Sequence, residues 1–594
     1  MCFSRGFLFL PLLSLLMQAQ TPSLESRRKA FNDLLAEQWE YNLRTNPEFA
    51  SILGDKRYND QLSDFSLKSI KQREADTRAF LTRFQAIDTT GFPDQDLLSH
   101  RIMIRDLEHN LEGLPFKDYE MPVNQMGGIH LQAAQFPSML SFADEKDYRD
   151  YITRLHKLPV AFDQTVELMR AGLKDGLMPP RFLLEKVASQ AAGLAAIKPE
   201  DSPFAAPLKK MPDTLPKEVQ NTIRRDMLAA ISKDVLPAYT RFSVFVRDEY
   251  APKGRTDVGV SALPNGAAYY AYQVRESTTT LMSPEEIHQL GLSEVARIEA
   301  EQLVIAKKLG FSDLKTFRAA INSDPKLHVT SGEDILDKYR KFTDGMYNKL
   351  PEYFGRLPKG RMKVEKTEAF REKEAAGAEY AIGTPDGSRP GRVQVNTYEW
   401  EKRTTPEIES TAYHEGVPGH HMQIAIAQEL PALPPFRQHE FYVAYTEGWA
   451  LYTEGLAKEM GFYQDPYSDY GRLDSEMLRA IRLVLDTGVH YKHWTRQQMV
   501  DFFHTHSNVA ESEVQSETDR YISIPSQALG YKVGQLTILR LRERAKKELG
   551  PKFNIRRFHD EVLGGGALPL DVLGERIDAW IAREKQPVAP SAGL

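Results

Sequence analysis

The stretch SPEEIHQLGLSEVARIEAEQLVIAKKLG, residues 283–310, shows the pattern that dominates this chain. Ser283 is placed to cap the first turn, Pro284 suits the first helical position, and Glu286 completes a capping box. Gly310 follows two lysines, which is typical of the end of a helix. Comparable patterns occur in YRDYITRLHKLPVAFDQTVELMRAGL, residues 148–173, and in VGQLTILRLRERAKKELG, residues 533–550. The sequence therefore predicts a mainly α-helical protein.

Strand signals are few and are grouped in EYAIGTPDGSRPGRVQVNT, residues 379–397. Asp386 and Gly387 form a turn dipeptide between two short apolar or alternating runs. This pattern predicts a β-hairpin, and the hairpin directly precedes a cluster of histidines.

Composition and charge are those of an ordinary globular protein. The chain has 594 residues, of which 41% are hydrophobic and 27% are charged, so it can bury one large core or several smaller ones. Its formal net charge is −6, with 76 lysines and arginines against 82 acidic residues. Because a nucleic-acid-binding protein needs a basic surface, nucleic acid is discounted as a partner.

The N-terminus, MCFSRGFLFLPLLSLLMQAQ, residues 1–20, has the three-part form of a signal peptide, with a buried N-terminal helix as the alternative. Its apolar run is too short to span a membrane comfortably. Cys2, the only cysteine, precedes this run, so the mature chain would have no disulfide and no thiolate ligand. We therefore expect a periplasmic or secreted protein without stable membrane insertion. Residues 21–584 would form one domain, and residues 585–594 a disordered tail.

The stretch STAYHEGVPGHHMQ, residues 410–423, places three histidines and a glutamate within eight residues. A zinc-peptidase helix normally reads H-E-x-x-H, but the fourth residue after His414 is Pro418. On an unbroken helix, His414 and His421 would stand about 10.5 Å apart along the axis, too far to share one zinc ion easily. A break at Gly-Val-Pro-Gly would bring His420, with His421 as the alternative, back beside His414. The cluster therefore predicts a metal site with altered spacing.

A catalytic zinc site needs three protein ligands and an open position. The stretch FYVAYTEGWALYTEGLAKEMG, residues 441–461, carries Glu447 and Glu454 on one face of a predicted helix. Glu447 is the predicted third ligand, because a carboxylate among apolar neighbours requires a partner. Glu415, next to the first histidine, is placed to act as a base toward a metal-bound water. The alternative is that the histidines are solvated or hydrogen-bonded at a helix break and that both downstream glutamates pair with arginines.

Four motifs carry a resemblance that spans nearly the whole mature chain: YHEGVPGHHMQ, YTEGWALYTE, RLVLDTGVHYKHWTRQQ and RYISIPSQALGYKVGQL. Together they resemble the bacterial family known as domain of unknown function 885, which is grouped with the gluzincin-type zinc metallopeptidases. The resemblance implies a two-lobed helical shell around a deep channel, with zinc on the channel floor and a small β-sheet nearby. Matched by position, His414 and His420 correspond to histidine ligands, Glu447 to the glutamate ligand and Glu415 to the general base.

Further roles are implied by the resemblance alone. In relatives, the edge strand of a short sheet pairs with the substrate backbone, and the strand GRVQVNT, residues 391–397, is placed to do so here. A late histidine or tyrosine usually stabilises the transition state, for which His490 and Tyr531 are the candidates. Arg520 or Lys532 is available to bind a substrate carboxylate. For each of these four side chains, a purely structural role is the alternative.

The sequence thus predicts an exported zinc-dependent metallopeptidase that hydrolyses short peptides, with carboxypeptidase action as one mode. A closed helical shell would admit chain ends more readily than folded proteins. Two alternatives stay open: a metal-dependent hydrolase of non-peptide amides or esters, and an inactive peptidase-like periplasmic binding protein. The oligomeric state is left open.

Overall fold

The protein is described by a computed structural model that covers residues 22–368, 372, 375–384, 389–431 and 433–586. The predicted signal peptide, the predicted turn at Asp386 and Gly387, and residues 587–594 of the predicted tail lie outside the described residues. Within the described residues the fold is mainly α with one small sheet, as predicted.

Helices extend from one end of the described chain to the other. The first part contains α1 (Leu24–Thr45), α2 (Pro47–Ile52), α3 (Leu67–Gln85), α4 (Asp94–Gly113), α5 (Ile129–Gln135), α6 (Glu145–Asp175), α7 (Arg181–Ala195), α8 (Lys217–Ala230), α9 (Leu236–Phe245) and α10 (Gly266–Thr278). The next part contains α11 (Pro284–Lys308), α12 (Leu314–Ser323), α13 (Gly332–Tyr353), α14 (Ile408–Glu415), α15 (His420–Glu429), α16 (Pro435–His439) and α17 (Val443–Glu459). The last part contains α18 (Pro466–His490), α19 (Arg496–His506), α20 (Glu511–Ser523), α21 (Leu529–Leu549), α22 (Ile555–Leu563) and α23 (Leu570–Lys585). No helix of the described chain combines the length and the apolar character that a membrane crossing requires.

The capping box predicted for α11 is present. The backbone N–H of Glu286 donates to the Ser283 hydroxyl at 3.3 Å, and the N–H of Ser283 donates to the Glu286 carboxylate at 2.8 Å. Two donors that the first turn would leave unsatisfied are thereby bonded, which fixes the start of this 25-residue helix.

Three short strands form one sheet near α14: β1 (Lys363–Lys366), β2 (Ala378–Ala381) and β3 (Arg392–Val395). β3 is central, because it pairs with β1 in parallel and with β2 antiparallel. The antiparallel pair agrees with the predicted hairpin. The prediction that residues 391–397 form the substrate-binding edge is wrong, because β3 already has a partner on each side and β2 lies at the edge.

The hydrophobic interior is divided into separate cores. One core is formed wholly by residues 123–251, on helices α5 to α9. A larger one joins α1, α3 and α4 to α17, α21 and α23, and a third surrounds α11 and α18. A small core packs β3 against α13 and α14. The small core fixes the sheet beside α14, the helix that carries the first histidine.

Candidate metal centre

The histidine cluster lies where one helix ends and the next begins. α14 ends at Glu415, and α15 begins at His420 after a four-residue turn. A Cβ atom on Gly419 would lie 1.9 Å from the carbonyl oxygen of His414, so only glycine permits this close approach. The turn folds the chain back, and the ring centroids of His414 and His420 are 4.8 Å apart, with the rings nearly perpendicular. The break therefore replaces the axial separation of an unbroken helix with direct contact.

Two contacts of α17 bring Glu447 to the same point. A Cβ atom on the next residue, Gly448, would lie 2.4 Å from the Cα atom of Gly534, so α17 and α21 pack backbone against backbone. The indole N–H of Trp449 donates to the carbonyl of Pro418 at 2.9 Å, which ties α17 to the turn between α14 and α15. The two residues that follow Glu447 thus fix the position of its helix relative to α21 and to the histidine turn.

Three side chains could together hold a metal ion: His414, His420 and Glu447. One ligand atom from each lies within 4.8 Å of the others. Oε2 of Glu447 is 3.3 Å from Nε2 of His414 and 3.6 Å from Nε2 of His420. Zinc bonds of 2.0–2.1 Å in a tetrahedral site separate neighbouring ligand atoms by about 3.3 Å. The two spacings that involve Glu447 are close to this value, and a set of two nitrogens and one oxygen is of a type that suits zinc.

A further carboxylate orients the first histidine. Oε1 of Glu454 accepts a hydrogen bond from Nδ1 of His414 at 2.8 Å, which leaves Nε2 facing Glu447. Burial lowers the pKa of His414, but its bonds to Glu447 and Glu454 outweigh burial and raise the pKa to about 10. Burial raises the pKa of Glu447, yet the two imidazoles hold it well below its usual range. Glu447 is therefore ionised, and carboxylates lie on both sides of the His414 ring.

Glu415 lies in the same cleft but outside the group of three predicted ligands. Burial raises the pKa of Glu415, and this effect is opposed by the imidazoles of His420 and His414 and by a hydrogen bond from the backbone N–H of Tyr380. The carboxylate is thus held beside the predicted ligands without being one of them. That is the placement expected of a base.

His421 is turned away from the group. Its Nε2–H donates to the carbonyl of Gly360 at 3.1 Å, so its Nδ1 accepts from the hydroxyl of Tyr380 at 3.0 Å. Burial lowers the pKa of His421 to about 4. Of the two adjacent histidines, the structure brings His420 and not His421 beside His414.

The three predicted ligands and Glu415 line a cleft of about 860 Å³, and β2 lines the same cleft. The carbonyl of Gly377 accepts from the N–H of Asn396, so these two residues form a hydrogen-bonded pair between the ends of β2 and β3. Hydrogen-bonded and non-hydrogen-bonded pairs alternate along an antiparallel ladder. Ala378 and Tyr380 are therefore in non-hydrogen-bonded pairs, and their backbone N–H and C=O groups point away from β3. The bond from the Tyr380 N–H to Glu415 agrees with that direction. β2 is therefore the strand placed to pair with an extended chain in the cleft.

Of the two candidates for transition-state stabilisation, only Tyr531 lines the cleft. The guanidinium of Arg482 lies over its ring, 4.6 Å from the centroid. His490 is fully buried, and its Nε2–H donates to the carbonyl of Tyr521 at 2.9 Å while its Nδ1 accepts from the N–H of Val260 at 3.1 Å. Burial lowers the pKa of His490 to about 3. Because both ring nitrogens are bonded to backbone away from the cleft, His490 does not fit the predicted catalytic role.

The two predicted carboxylate-binding residues are also bonded elsewhere. Lys532 is fully buried, and its ammonium group lies 2.5 Å from a carboxylate oxygen of Glu476 and 2.9 Å from one of Glu294. Arg520 donates to Glu517 at 3.1 Å. Neither residue lines the cleft. The prediction for both is therefore not supported, because each side chain pairs with a carboxylate of its own protein.

The comparisons with known proteins agree with the resemblance of the four motifs. A family model described as "Bacterial protein of unknown function (DUF885)" matches residues 47–577. The chain belongs to the DUF885 family. No protein with curated annotation matches it significantly.

Two solved structures share the fold of this DUF885 protein. A "putative lipoprotein" from Colwellia psychrerythraea is 29% identical with a TM-score of 0.87, over 94% of this chain and 100% of that one. A "putative lipoprotein of unknown function" from Shewanella oneidensis is 17% identical with a TM-score of 0.74, over 93% and 99%. A third structure, "PZ PEPTIDASE A with inhibitor 2", is 11% identical over 86% of this chain and 97% of that one. Its TM-score of 0.32 is too low to indicate a shared fold.

The arginines of the cleft in this DUF885 chain were not predicted from the sequence. Arg479 and Arg482 line it together with Ser475 and Leu478, all four on α18. The spacing i, i+3, i+4, i+7 is the signal that could have grouped them on one face. Arg482 is paired with Glu517 at 2.9 Å, whereas Arg479 bonds Ser475 and its Nε has no partner among the described residues. Arg479 is therefore better placed than Arg520 or Lys532 to bind a substrate carboxylate.

Proposed function

We propose that this member of the DUF885 family is an exported zinc metallopeptidase of the gluzincin type, which hydrolyses short peptides and acts as a carboxypeptidase. The observation that carries the proposal is the convergence of His414, His420 and Glu447 within 4.8 Å, in a cleft that also holds Glu415. When bound, zinc supplies Lewis-acid activation of water and of the scissile carbonyl.

The side chains of the site have three proposed roles: metal ligand, orienting partner and general base. His414, His420 and Glu447 hold the ion, and Glu454 fixes the ring of His414 through Nδ1. Glu415 takes a proton from the attacking water and returns it to the leaving amine. Burial supports this role, because a carboxylate that is removed from water binds a proton more readily than an exposed one.

Three features of the cleft favour a peptide substrate. The outward backbone groups of Ala378 and the outward carbonyl of Tyr380 can pair with an extended main chain. The hydroxyl of Tyr531 is the candidate to stabilise the developing oxyanion. Arg479, which lines the cleft and makes no ion pair within 4.0 Å among the described residues, is the candidate to bind a terminal carboxylate. A metal-dependent hydrolase of non-peptide amides or esters is the second candidate, since the same three ligands and base would serve it.

Export is proposed from the predicted signal peptide over residues 1–20. The description of two similar solved structures as lipoproteins supports a location outside the cytoplasm.

The test combines metal analysis with a digest of short peptides by the wild type and by Glu415→Gln. Purified wild type should contain about one zinc per chain, and Glu415→Gln should keep it, because the substitution leaves the three ligands intact. Peptide turnover should fall at least about a hundredfold, the lower range for loss of a general base. Glu401→Gln, an exposed residue outside the cleft, is the matched control and should leave both measurements unchanged.

The outcomes separate the candidates. Turnover by Glu415→Gln within a few-fold of the wild type would contradict the role of this base. A wild type that contains zinc but cleaves only small esters or amides would select the second candidate. A wild type that hydrolyses neither class would select a peptidase-like binding protein.

A further inference from the structure

A second cavity lies on α2, α5 and α6 and shares no lining residue with the cleft. Its volume is about 400 Å³, which is within the range of small-molecule sites. Apolar side chains make most of its wall, among them Phe49, Leu62 and Phe136. Ile52 and Met139 belong to the same wall yet are 46% and 50% exposed, so the apolar surface continues to solvent. The cavity can therefore admit an apolar chain from outside.

Arg154 is the cation of this cavity and is only 2% exposed. Its Nε donates to the carbonyl of Gln61 at 2.6 Å, and its Nη2 donates to the hydroxyl of Ser51 at 2.8 Å and to the carbonyls of Pro47 and Tyr58. All of these acceptors are neutral. No carboxylate lies within 4.0 Å of the guanidinium among the described residues, and Nη1 has no partner among them. Glu48, Asp60 and Asp150 act on the charge of Arg154 from a distance, but the buried donor Nη1 has no hydrogen-bond partner among the described residues, which is costly unless an acceptor completes it.

The other charged residue of the described lining is Glu48. Its two carboxylate oxygens accept from the backbone N–H and the hydroxyl of Ser63, at 3.0 and 2.6 Å. Glu48 is thus bonded to Ser63, and it acts on the charge of Arg154 without bonding to it. The face of the phenyl ring of Phe136 lies 4.8 Å from the guanidinium carbon, which places an apolar wall directly beside the charge. Arg154 therefore offers an unpaired charged donor to a mostly apolar chamber, in which the carboxylate of Glu48 is already bonded to Ser63.

We propose that this cavity binds an amphiphilic monocarboxylate, a medium-chain fatty acid, with its carboxylate on Arg154 and its alkyl chain along the apolar wall. A charge-assisted hydrogen bond from Nη1 satisfies the vacant donor, and the alkyl chain displaces water from apolar surface. A fatty acid fits better than a peptide, because a mostly apolar wall offers few partners for peptide amides.

The test is calorimetric titration of the full chain with decanoate, decanol and decylamine, each below its micelle concentration. Decanoate should bind at least about tenfold more tightly than decanol, since a hydrogen bond to a charged group has about that effect. Affinity should rise about fourfold for each methylene between octanoate and decanoate. Decylamine should bind more weakly than decanol, because its ammonium group would face the guanidinium.

Two variants and one control assign the site. Arg154→Met should remove the preference for decanoate over decanol, while Arg149→Met, the same change at an exposed position on α6, should keep it. Ala133→Leu fills the cavity from its wall and keeps the charge, so it should weaken decanoate and decanol together. This variant decides the question if Arg154→Met does not fold. Equal affinity for decanoate and decanol in the wild type, or an unchanged preference in Arg154→Met, would overturn the proposal. Tighter binding of an apolar peptide than of decanoate would also overturn it.

Discussion

Nδ1 of His414 lies 2.8 Å from Oε1 of Glu454, a carboxylate that is only 2% exposed. Glu454 follows Glu447 by seven residues on α17, so one face of this helix presents both carboxylates to one imidazole. Nε2 of the ring faces Glu447 and Nδ1 faces Glu454. A single helix therefore supplies a predicted ligand and the group that sets the orientation of another.

Glu454→Gln should weaken zinc binding without abolishing it. The amide oxygen can still accept from Nδ1 of His414, but the negative charge that supports the ring is lost. Loss of such a partner typically costs 10- to 100-fold in metal affinity, which competition with a chelator measures. Glu447→Gln is the comparison and should lose far more affinity. Loss of zinc in Glu454→Gln with retention in Glu447→Gln would show that the assignments of ligand and partner are reversed.

His420→Ala and His421→Ala should differ in metal content. His420→Ala removes a predicted ligand, so zinc should be lost. His421→Ala removes the bonds to Gly360 and Tyr380 instead, so zinc should stay while the melting temperature falls. Zinc analysis and thermal unfolding of both variants give the answer. Full zinc content in His420→Ala would contradict the assignment of His420 as a zinc ligand.

The local part of this site could be predicted from the sequence. The glycines and the proline between His414 and His420 break a helix, and the break is what places the two rings together. Glu447 could be found because it lies on a helix face with aromatic neighbours. These inferences need only helix geometry and the cost of burying a carboxylate.

The late-chain residues could not be assigned in this way. His490 and Lys532 lie on stretches of α18 and α21, residues 480–490 and 529–538, that are buried on nearly every side, so their sequence positions do not tell which neighbours they face. His490 bonds two backbone groups, and Lys532 pairs with carboxylates of α11 and α18. Tertiary packing decides which polar side chain of a buried helix reaches a cleft. Arg479 reaches it because it lies on the same face of α18 as Ser475 and Arg482.

Arg479→Met should raise the KM for a peptide with a free carboxyl terminus by about 10- to 100-fold, the effect of losing a charged hydrogen bond. The same peptide with an amidated terminus should show little change, because it carries no carboxylate to bind. Arg520→Met is the matched control, and its KM should stay near that of the wild type because Arg520 pairs with Glu517 outside the cleft. An equal rise in KM for both peptides would indicate a structural role for Arg479.

Acid should destabilise the protein through two neutral buried histidines, His490 and His559. Burial lowers the pKa of each to about 3, against about 6.5 in an unfolded chain. A group with a lowered folded pKa contributes stability above its unfolded pKa and loses that stability as the pH falls. The free energy of unfolding should therefore decrease between about pH 6.5 and pH 3, by about 1.4 kcal/mol per pH unit for each histidine.

His490→Gln isolates one of these two contributions. Urea unfolding at pH 4.5, 5.5 and 6.5 should show a slope smaller by about 1.4 kcal/mol per pH unit than the wild type, whatever the absolute loss of stability. His504→Gln, at an exposed position, should keep the slope of the wild type. Folded His490→Gln should also retain peptide turnover within a few-fold at neutral pH, because His490 bonds backbone groups away from the cleft. If the free energy of unfolding keeps the pH slope of the wild type and turnover falls a hundredfold, the predicted catalytic role of His490 would be supported instead.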